Sequence, residues 1–276
     1  MHTTERAAHP PETLEGWYVH HQLFSIDRAA MRAMVAVPGS SLREEAERAL
    51  DEIVGRTGDG WTAVVPLVGS RADVMFVHVR PTLDEIGEAQ RALARIPLFD
   101  ALRHAYSFLS VTEAGMYHLS AKLAKEAQEH GGKVGDARHQ ALLEERLAAE
   151  RASEHVQKRL YPAIPAELPW VCFYPMSKKR EVGANWYAQP LEERSRMMWE
   201  HGMSGRKYAG RILQIVTGAI GLDAWEWGVT LFAKDPLDFK KIVSEMRFDE
   251  ASALYGEFGE FFVGQVATPS AWLTTL

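Results

Sequence analysis

The sequence predicts an α+β fold built from two ferredoxin-like halves whose antiparallel sheets pack together as a barrel. Three observations predict it. The order strand, helix, strand, strand, helix, strand occurs twice along the 276 residues, the mark of a split β-α-β unit in two copies. Within each copy two strands are joined by a short turn-forming link, GSRAD in the first and GAIGLDA in the second, as antiparallel hairpins require. A ferredoxin-like sheet carries helices on one side only, so its open face needs a partner, and the other copy supplies one.

Taken in order, residues 1–15 are polar and read as a flexible arm. The first half covers 16–116. Trp17 to Ser25 alternates apolar and polar residues and forms the first strand. Ser40 to Gly55 has a serine start, apolar positions at Leu42, Ala46, Ala49, Leu50 and Ile53, and a glycine stop, which together make a helix. Trp61–Leu67 and Val74–Val79 are the hairpin strands, Leu83–Ala94 the second helix and Tyr106–Glu113 the fourth strand. From 117 to 160 the texture changes to Ala, Glu, Lys and Arg, broken at His130-Gly131-Gly132. This is a helical connector of two helices about a hinge, the second ending near Arg159, with His130 and His139 as solvated surface residues.

The half from 161 to 276 repeats the first. Trp170–Tyr174 is a strand, Leu191–His201 a helix, Ile212–Thr217 and Trp225–Phe232 a hairpin. Pro236–Met246 is a helix, begun by an Asp235-Pro236 pair in which Asp caps and Pro fits the first turn. Phe261–Val266 closes the set.

Composition narrows the function. With 46% hydrophobic and 25% charged residues the chain is globular, and its formal charge of -6 leaves no basic footprint for nucleic acid. No apolar run approaches the roughly 20 residues of a bilayer span, and the N-terminus lacks an apolar signal core, so a cytoplasmic protein is expected. Cys172 is the single cysteine, which excludes an intrachain disulfide, and no C-x-x-C-H word tethers a haem covalently.

The chemistry concentrates between Tyr174 and Gln214. Tyr174, Met176 and Lys178 alternate with Pro175 and Ser177, so in an extended chain they share one face. His201 follows Met197 and Met198 at helical spacing, which puts an imidazole beside two thioethers. From spacing alone His201 reads either as a metal-competent nitrogen or as a helix C-terminal cap with Gly202 in the left-handed position. Gln214 is the lone polar residue on the strand face it shares with Ile212 and Val216.

The words YPMSK, HGMSGRKY, Gln214 within ILQIVTG, DAWEWG and MRFDEASALYGEFG resemble the chlorite dismutase-like family, and within it the coproheme decarboxylases. The resemblance covers most of Gly16 to Gly264 and is weakest from about 121 to 152. It implies a dimeric α+β barrel within one subunit and a ring-shaped homo-oligomer, often a pentamer. It implies Fe-coproporphyrin III as both substrate and redox cofactor, haem b as product, and no other metal. His201 is then the axial iron ligand, and Gln214 faces the opposite side of the porphyrin. True chlorite dismutases carry an arginine there, and a neutral amide does not replace a cation. Arg159, Tyr174, Pro175, Met176, Ser177, Lys178, Trp225 and Ser252 are implied to hold the substrate, with Tyr117 near a propionate-contacting tyrosine of the family.

The implied reaction uses hydrogen peroxide. Tyr174 becomes a phenoxyl radical that takes hydrogen from a propionate, carbon dioxide leaves, and two propionates become vinyls in turn through harderohaem. Lys178 pairs a propionate and assists proton movement. A ferrochelatase is implied as a transient partner. Two other readings stand beside this one: a non-catalytic haem carrier, and a haem b peroxidase or chlorite dismutase-like enzyme on the same fold.

Overall fold

A computed structural model describes residues 9–55 and 58–276. The first half runs β1 (Thr13–Ile26), α1 (Arg28–Val35), α2 (Leu42–Val54), β2 (Trp61–Val68), β3 (Val74–Arg80), α3 (Leu83–Ala94) and β4 (Leu102–Gly115). A connector follows as α4 (Tyr117–Glu129), α5 (Ala137–Ala152) and α6 (Glu154–Leu160). The second half runs β5 (Trp170–Lys178), β6 (Arg180–Glu181), β7 (Ala184–Asn185), α7 (Leu191–Arg206), β8 (Ile212–Gly218) and β9 (Trp227–Ala233). It ends with α8 (Leu237–Met246), α9 (Glu250–Ala253), β10 (Gly256–Phe258), β11 (Phe262–Gln265) and α10 (Pro269–Leu273).

Each half has the strand order of a ferredoxin-like unit, β4-β1-β3-β2 in the first and β8-β9-β5-β11 in the second. All these pairs are antiparallel, and among the described residues they belong to one nine-stranded sheet with β10 at the edge of β5. Two seams join the halves: Val111 and Thr112 pair with Gly218 and Thr217, and Val263 and Gly264 pair with Val68 and Leu67. Because β9 also pairs with β5, the ring of pairings closes, which removes most exposed strand edges.

Strand alternation sorts the core. Inward positions Val19, Leu23, Val77, Phe108, Phe173, Phe232 and Phe262 fill the interior. His21 lies among them, its ring stacked 3.8 Å from Phe173 and its Nε2 2.9 Å from the Thr230 hydroxyl. Outward positions pack under helices: Val64 and Phe76 with Leu50 and Leu93 in the first half, and Cys172, Val229 and Leu231 with Phe239 and Ile242 in the second.

Local chemistry explains most boundaries. Thr82 and Glu85 form a reciprocal capping box that starts α3. Strand β1 begins at Thr13 rather than Trp17 because Thr13 to Glu15 pair with Gly115 to Glu113, so the part of the 1–15 arm after residue 12 is sheet; residues 1–8 lie outside the described residues. The connector has three helices rather than two, since Ser153 turns extended and its hydroxyl caps α6. Helix α7 runs through Gly202 and Gly205 to Arg206, so His201 lies inside the helix and is not its C-terminal cap. Among the described residues no helix is long and apolar enough to cross a membrane.

Candidate functional site

The outer face of the second-half sheet carries the residues of interest. On β5 the outward positions are Cys172, Tyr174, Met176 and Lys178, while Val171 and Phe173 point into the barrel. Register extends this face across two more strands. Cys172 pairs with Leu231 and Leu231 with Gln214; Tyr174 pairs with Val229 and Val229 with Val216. Neighbouring strands are about 4.8 Å apart, so Gln214 stands two strands across and one row along from Tyr174 on the same face. Gln214 is exposed, whereas Tyr174 is buried.

Tyr174 stacks on Phe261 at 4.4 Å and lies 6.1 Å from Phe258, whose ring is covered by the Arg247 guanidinium at 3.8 Å. Burial, helped by Cys172, raises the Tyr174 phenol above its ordinary range, and Arg247 opposes it. The hydroxyl therefore keeps its hydrogen at neutral pH. Burial likewise pushes the Cys172 thiol up to about 12, which makes it an unreactive neighbour.

Lys178 closes the same row. Its side chain is 6% exposed, Nζ donates to the Ala251 carbonyl at 2.7 Å and sits 4.5 Å over the Trp186 ring. Burial lowers the ammonium to about 8, while Asp249 and Glu226 pull it upward. The main-chain N–H of Lys178 donates to Glu226 Oε2 at 2.7 Å.

Helix α7 is stabilised at its ends by Glu192 and Glu193 in the first turn and Arg206 in the last. It packs chiefly against α4, α8 and α9 rather than on the sheet. His201 Nδ1 is 3.0 Å from Asp249 Oδ2. A carboxylate only accepts, so Nδ1 carries a proton, and in the neutral ring Nε2 is the nitrogen left with a lone pair, on a side chain 26% exposed. Burial works to raise the Asp249 carboxyl, but His201 and the Ser252 donors outweigh it and hold it below the usual carboxylate range. Asp249 is the partner that orients His201, and a 48-residue separation hides it from the sequence.

Several residues expected at the site stand elsewhere. Pro175 and Ser177 alternate with Tyr174 and so lie on the other side of β5; Ser177 Oγ accepts from the Glu226 N–H at 3.2 Å. Trp225 packs against the barrel interior, and it is Trp227, opposite Met176 in register, that shares the outer face, its Nε1 donating to Glu113 at 2.8 Å. The alternation Trp227, Val229, Leu231 carries that signal. Ser252 donates from both its N–H (2.9 Å) and its hydroxyl (3.1 Å) to Asp249, so it belongs to the support of His201. Arg159 is exposed at the end of α6, where its charge acts on Glu113. Tyr117 packs with Trp186, Met197 and Tyr255 beside Lys178.

A groove of about 470 Å³ opens beside α8, lined by Phe239, Val243, Phe261 and Val263 with Lys240 and Arg247 as its cations. Apolar walls with cations at the rim suit a flat apolar ligand bearing carboxylates. The smaller cleft between α4 and α5 holds His130 and His139, yet among the described residues no group of three His, Cys, Asp or Glu could hold a metal ion. His201 offers one donor, which suits a metal that brings a macrocycle's nitrogens with it.

A family model described as chlorite dismutase matches residues 43–267. A protein of Staphylococcus carnosus (strain TM300) named coproheme decarboxylase is 39% identical over 257 residues, covering 92% of this chain and 93% of that one. Another of the same name from Staphylococcus saprophyticus is 38% identical, with 94% of both chains covered. Among solved structures, one described as a novel heme-binding protein from Thermus thermophilus has a TM-score of 0.79 at 38% identity, covering 96% of this chain and 98% of that one. A mutant chlorite dismutase from Candidatus Nitrospira defluvii has a TM-score of 0.69 at 17% identity, covering 95% and 96%, a likeness of fold alone.

Proposed function

The chain belongs to the chlorite dismutase family, and we propose that within it the protein is a coproheme decarboxylase, converting two propionates of Fe-coproporphyrin III to vinyls to give haem b. The observation that carries this reading is that Tyr174, Lys178 and a neutral Gln214 share one sheet face, with His201 of α7 held at Nδ1 by Asp249. The family resemblance implies an arginine in chlorite dismutases where Gln214 stands, and a neutral amide does not replace a cation.

The residues fit the group. His201 Nε2 would hold the iron, and Gln214 would lie against the macrocycle. Lys240 and Arg247 line the groove next to Phe261, which stacks on Tyr174, and would receive carboxylates. When bound, the iron macrocycle supplies the redox chemistry with peroxide and is itself the molecule decarboxylated. Each turnover balances as one propionate carboxylate, one hydrogen peroxide and one proton giving one vinyl, one carbon dioxide and two waters.

The chain's own part is in Tyr174 and Lys178. The buried, protonated Tyr174 holds an O–H whose hydrogen can be lost and regained; the phenoxyl form removes a hydrogen from the propionate carbon next to the ring. Loss of carbon dioxide, with the remaining electron taken up by the second oxidising equivalent of the peroxide that the bound macrocycle would supply, would then leave the double bond. Lys178, held near neutral pH by burial, can hold or release a proton within the same row. The apolar rings of Phe261 and Phe258 pack against the Tyr174 ring and hold it in place.

The family resemblance carries a homo-oligomeric ring, a cytoplasmic setting and delivery of substrate by a ferrochelatase, which light scattering and pull-down with that enzyme test. For the activity, iron coproporphyrin III and hydrogen peroxide are added to the pure protein and products followed by mass. Two successive losses of carbon dioxide with two hydrogens are expected. Bleaching of the porphyrin with no vinyl product would make the protein a binder.

A further inference from the structure

Glu226, within the DAWEWG word, has no part in the scheme above, yet its carboxylate is among the most committed in the second half. It is 7% exposed. Its N–H donates to the Met176 carbonyl at 3.1 Å and toward Ser177 Oγ at 3.2 Å, and its Oε2 accepts the Lys178 N–H at 2.7 Å. Three successive residues of β5 are thus tied to one acidic residue where the β5–β9 ladder ends at Met176 and Trp227. A buried carboxylate is costly unless its charge is used, and the exposed Arg180 guanidinium, 3.9 Å from Oε1, is a loose partner.

We propose that Glu226 is a positioning residue that fixes the Lys178 main chain and keeps the Lys178 ammonium charged in its buried seat. The groups facing that ammonium come from several elements. The turn before α9 contributes Asp249, α9 the Ala251 carbonyl, and the short helical turn Trp186–Ala188 the Trp186 ring, with Tyr187 next to it acting on Glu226. Tyr187 adjoins Tyr117 of α4 and Arg194 of α7. Burial and Glu226 hold the Tyr187 phenol above its ordinary range, and burial does the same for Tyr117, so neither supplies negative charge at neutral pH. Two carboxylates act on Lys178, those of Asp249 and Glu226. Asp249 is already engaged by His201 Nδ1 and by two Ser252 donors. Asp249 acts on Lys178 the more strongly, and Glu226 is the second carboxylate, the one not shared with His201.

The bearing on turnover rests on the role given to Lys178 under the proposed function; the coupling between Glu226 and Lys178 does not. Both are measured on the full chain. Lysine labelled with carbon-13 and nitrogen-15 lets the Lys178 signal be titrated by NMR, assigned by its loss in Lys178→Arg. Glu226→Gln keeps an oxygen for the Lys178 N–H but removes the charge, and should lower the Lys178 midpoint by about one pH unit. Glu226→Asp keeps the charge and should hold the midpoint within a few tenths of the parent. The alkaline limb of the decarboxylation profile should move with the midpoint. A midpoint unmoved in Glu226→Gln, or moved equally in Glu226→Asp, overturns the proposal. A midpoint that moves while the activity profile stays fixed leaves Glu226 as the keeper of Lys178 and removes Lys178 from the reaction. If Glu226→Gln does not fold, the Glu226→Asp titration alone decides: a shift of a unit or more rejects the proposal.

Discussion

His201 Nδ1 and Asp249 Oδ2 lie 3.0 Å apart, and that one bond sets which imidazole nitrogen remains available. Removing the acceptor leaves the ring free to rotate and to change tautomer. Asp249→Ala should weaken iron coproporphyrin binding about 10- to 100-fold. It should also cost about 1 kcal/mol of stability, because Ser252 loses its cap. Absorption titration and urea unfolding read the two effects separately. An unchanged affinity would mean that the iron ligand is some other residue.

Tyr174 is the second test. Tyr174→Phe deletes one oxygen from a ring that stacks on Phe261 and leaves the packing intact. Substrate should bind with little change while product formation falls at least 1,000-fold, a loss of about 4 kcal/mol in the barrier. Product mass after peroxide addition decides it. A variant that still decarboxylates at parent rates clears Tyr174 of its role.

Much of this is legible in the sequence because it is local. Alternation on β5 puts Tyr174, Met176 and Lys178 together, and the turn words GSRAD and GAIGLDA place both hairpins. The repeated element order leads to two like sheets, which the strand orders match. What escapes depends on distance in sequence or on competing partners. Asp249 and Glu226 each lie 48 residues from the group they serve, and nothing in their own words says so. Trp225 is named by the family resemblance, but it lies in the bend before β9 begins at Trp227, where strand alternation does not hold, so it turns to the barrel interior although it has the same parity as Trp227. Gly202 looks like a helix stop, but the positive-φ glycine comes later, at Gly210, so α7 continues past His201.

Buried histidines in the first half set an acid limit on stability. Burial, with the charge of His104, lowers His20 to about 4; burial, with His20, lowers His21 to about 3; burial and Arg80 lower His78 well below its ordinary value. Unfolded histidine titrates near 6.5, so below that pH the unfolded chain binds protons that the folded chain refuses. Stability is therefore full above about pH 6.5 and falls as the pH drops toward 4. His20 and His21 alone should remove about 4 kcal/mol between pH 6.5 and 4.5. Urea unfolding at pH 7.5, 6 and 5 measures the slope, and His20→Gln should flatten it. A stability independent of pH across that range would show that these rings protonate freely in the folded protein.

The seam between β2 and β11 is narrow, and Gly264 is its tightest point. A Cβ there would press into the Pro66 carbonyl oxygen and lie 2.8 Å from Val65 Cγ1. The first is backbone held in the β2–β3 ladder and cannot step aside. Gly264→Ala must therefore push β11 away from β2, loosening Val263 and Gly264 from Val68 and Leu67 on one side of the closed ring. Gly69, by contrast, lies at φ +69 with open space around it, so Gly69→Ala tests backbone strain without a clash. The expected cost is about 3 kcal/mol or more for Gly264→Ala and about 1 kcal/mol for Gly69→Ala. Urea midpoints of the two variants make the comparison. Equal losses would show that the ring does not close tightly at this seam.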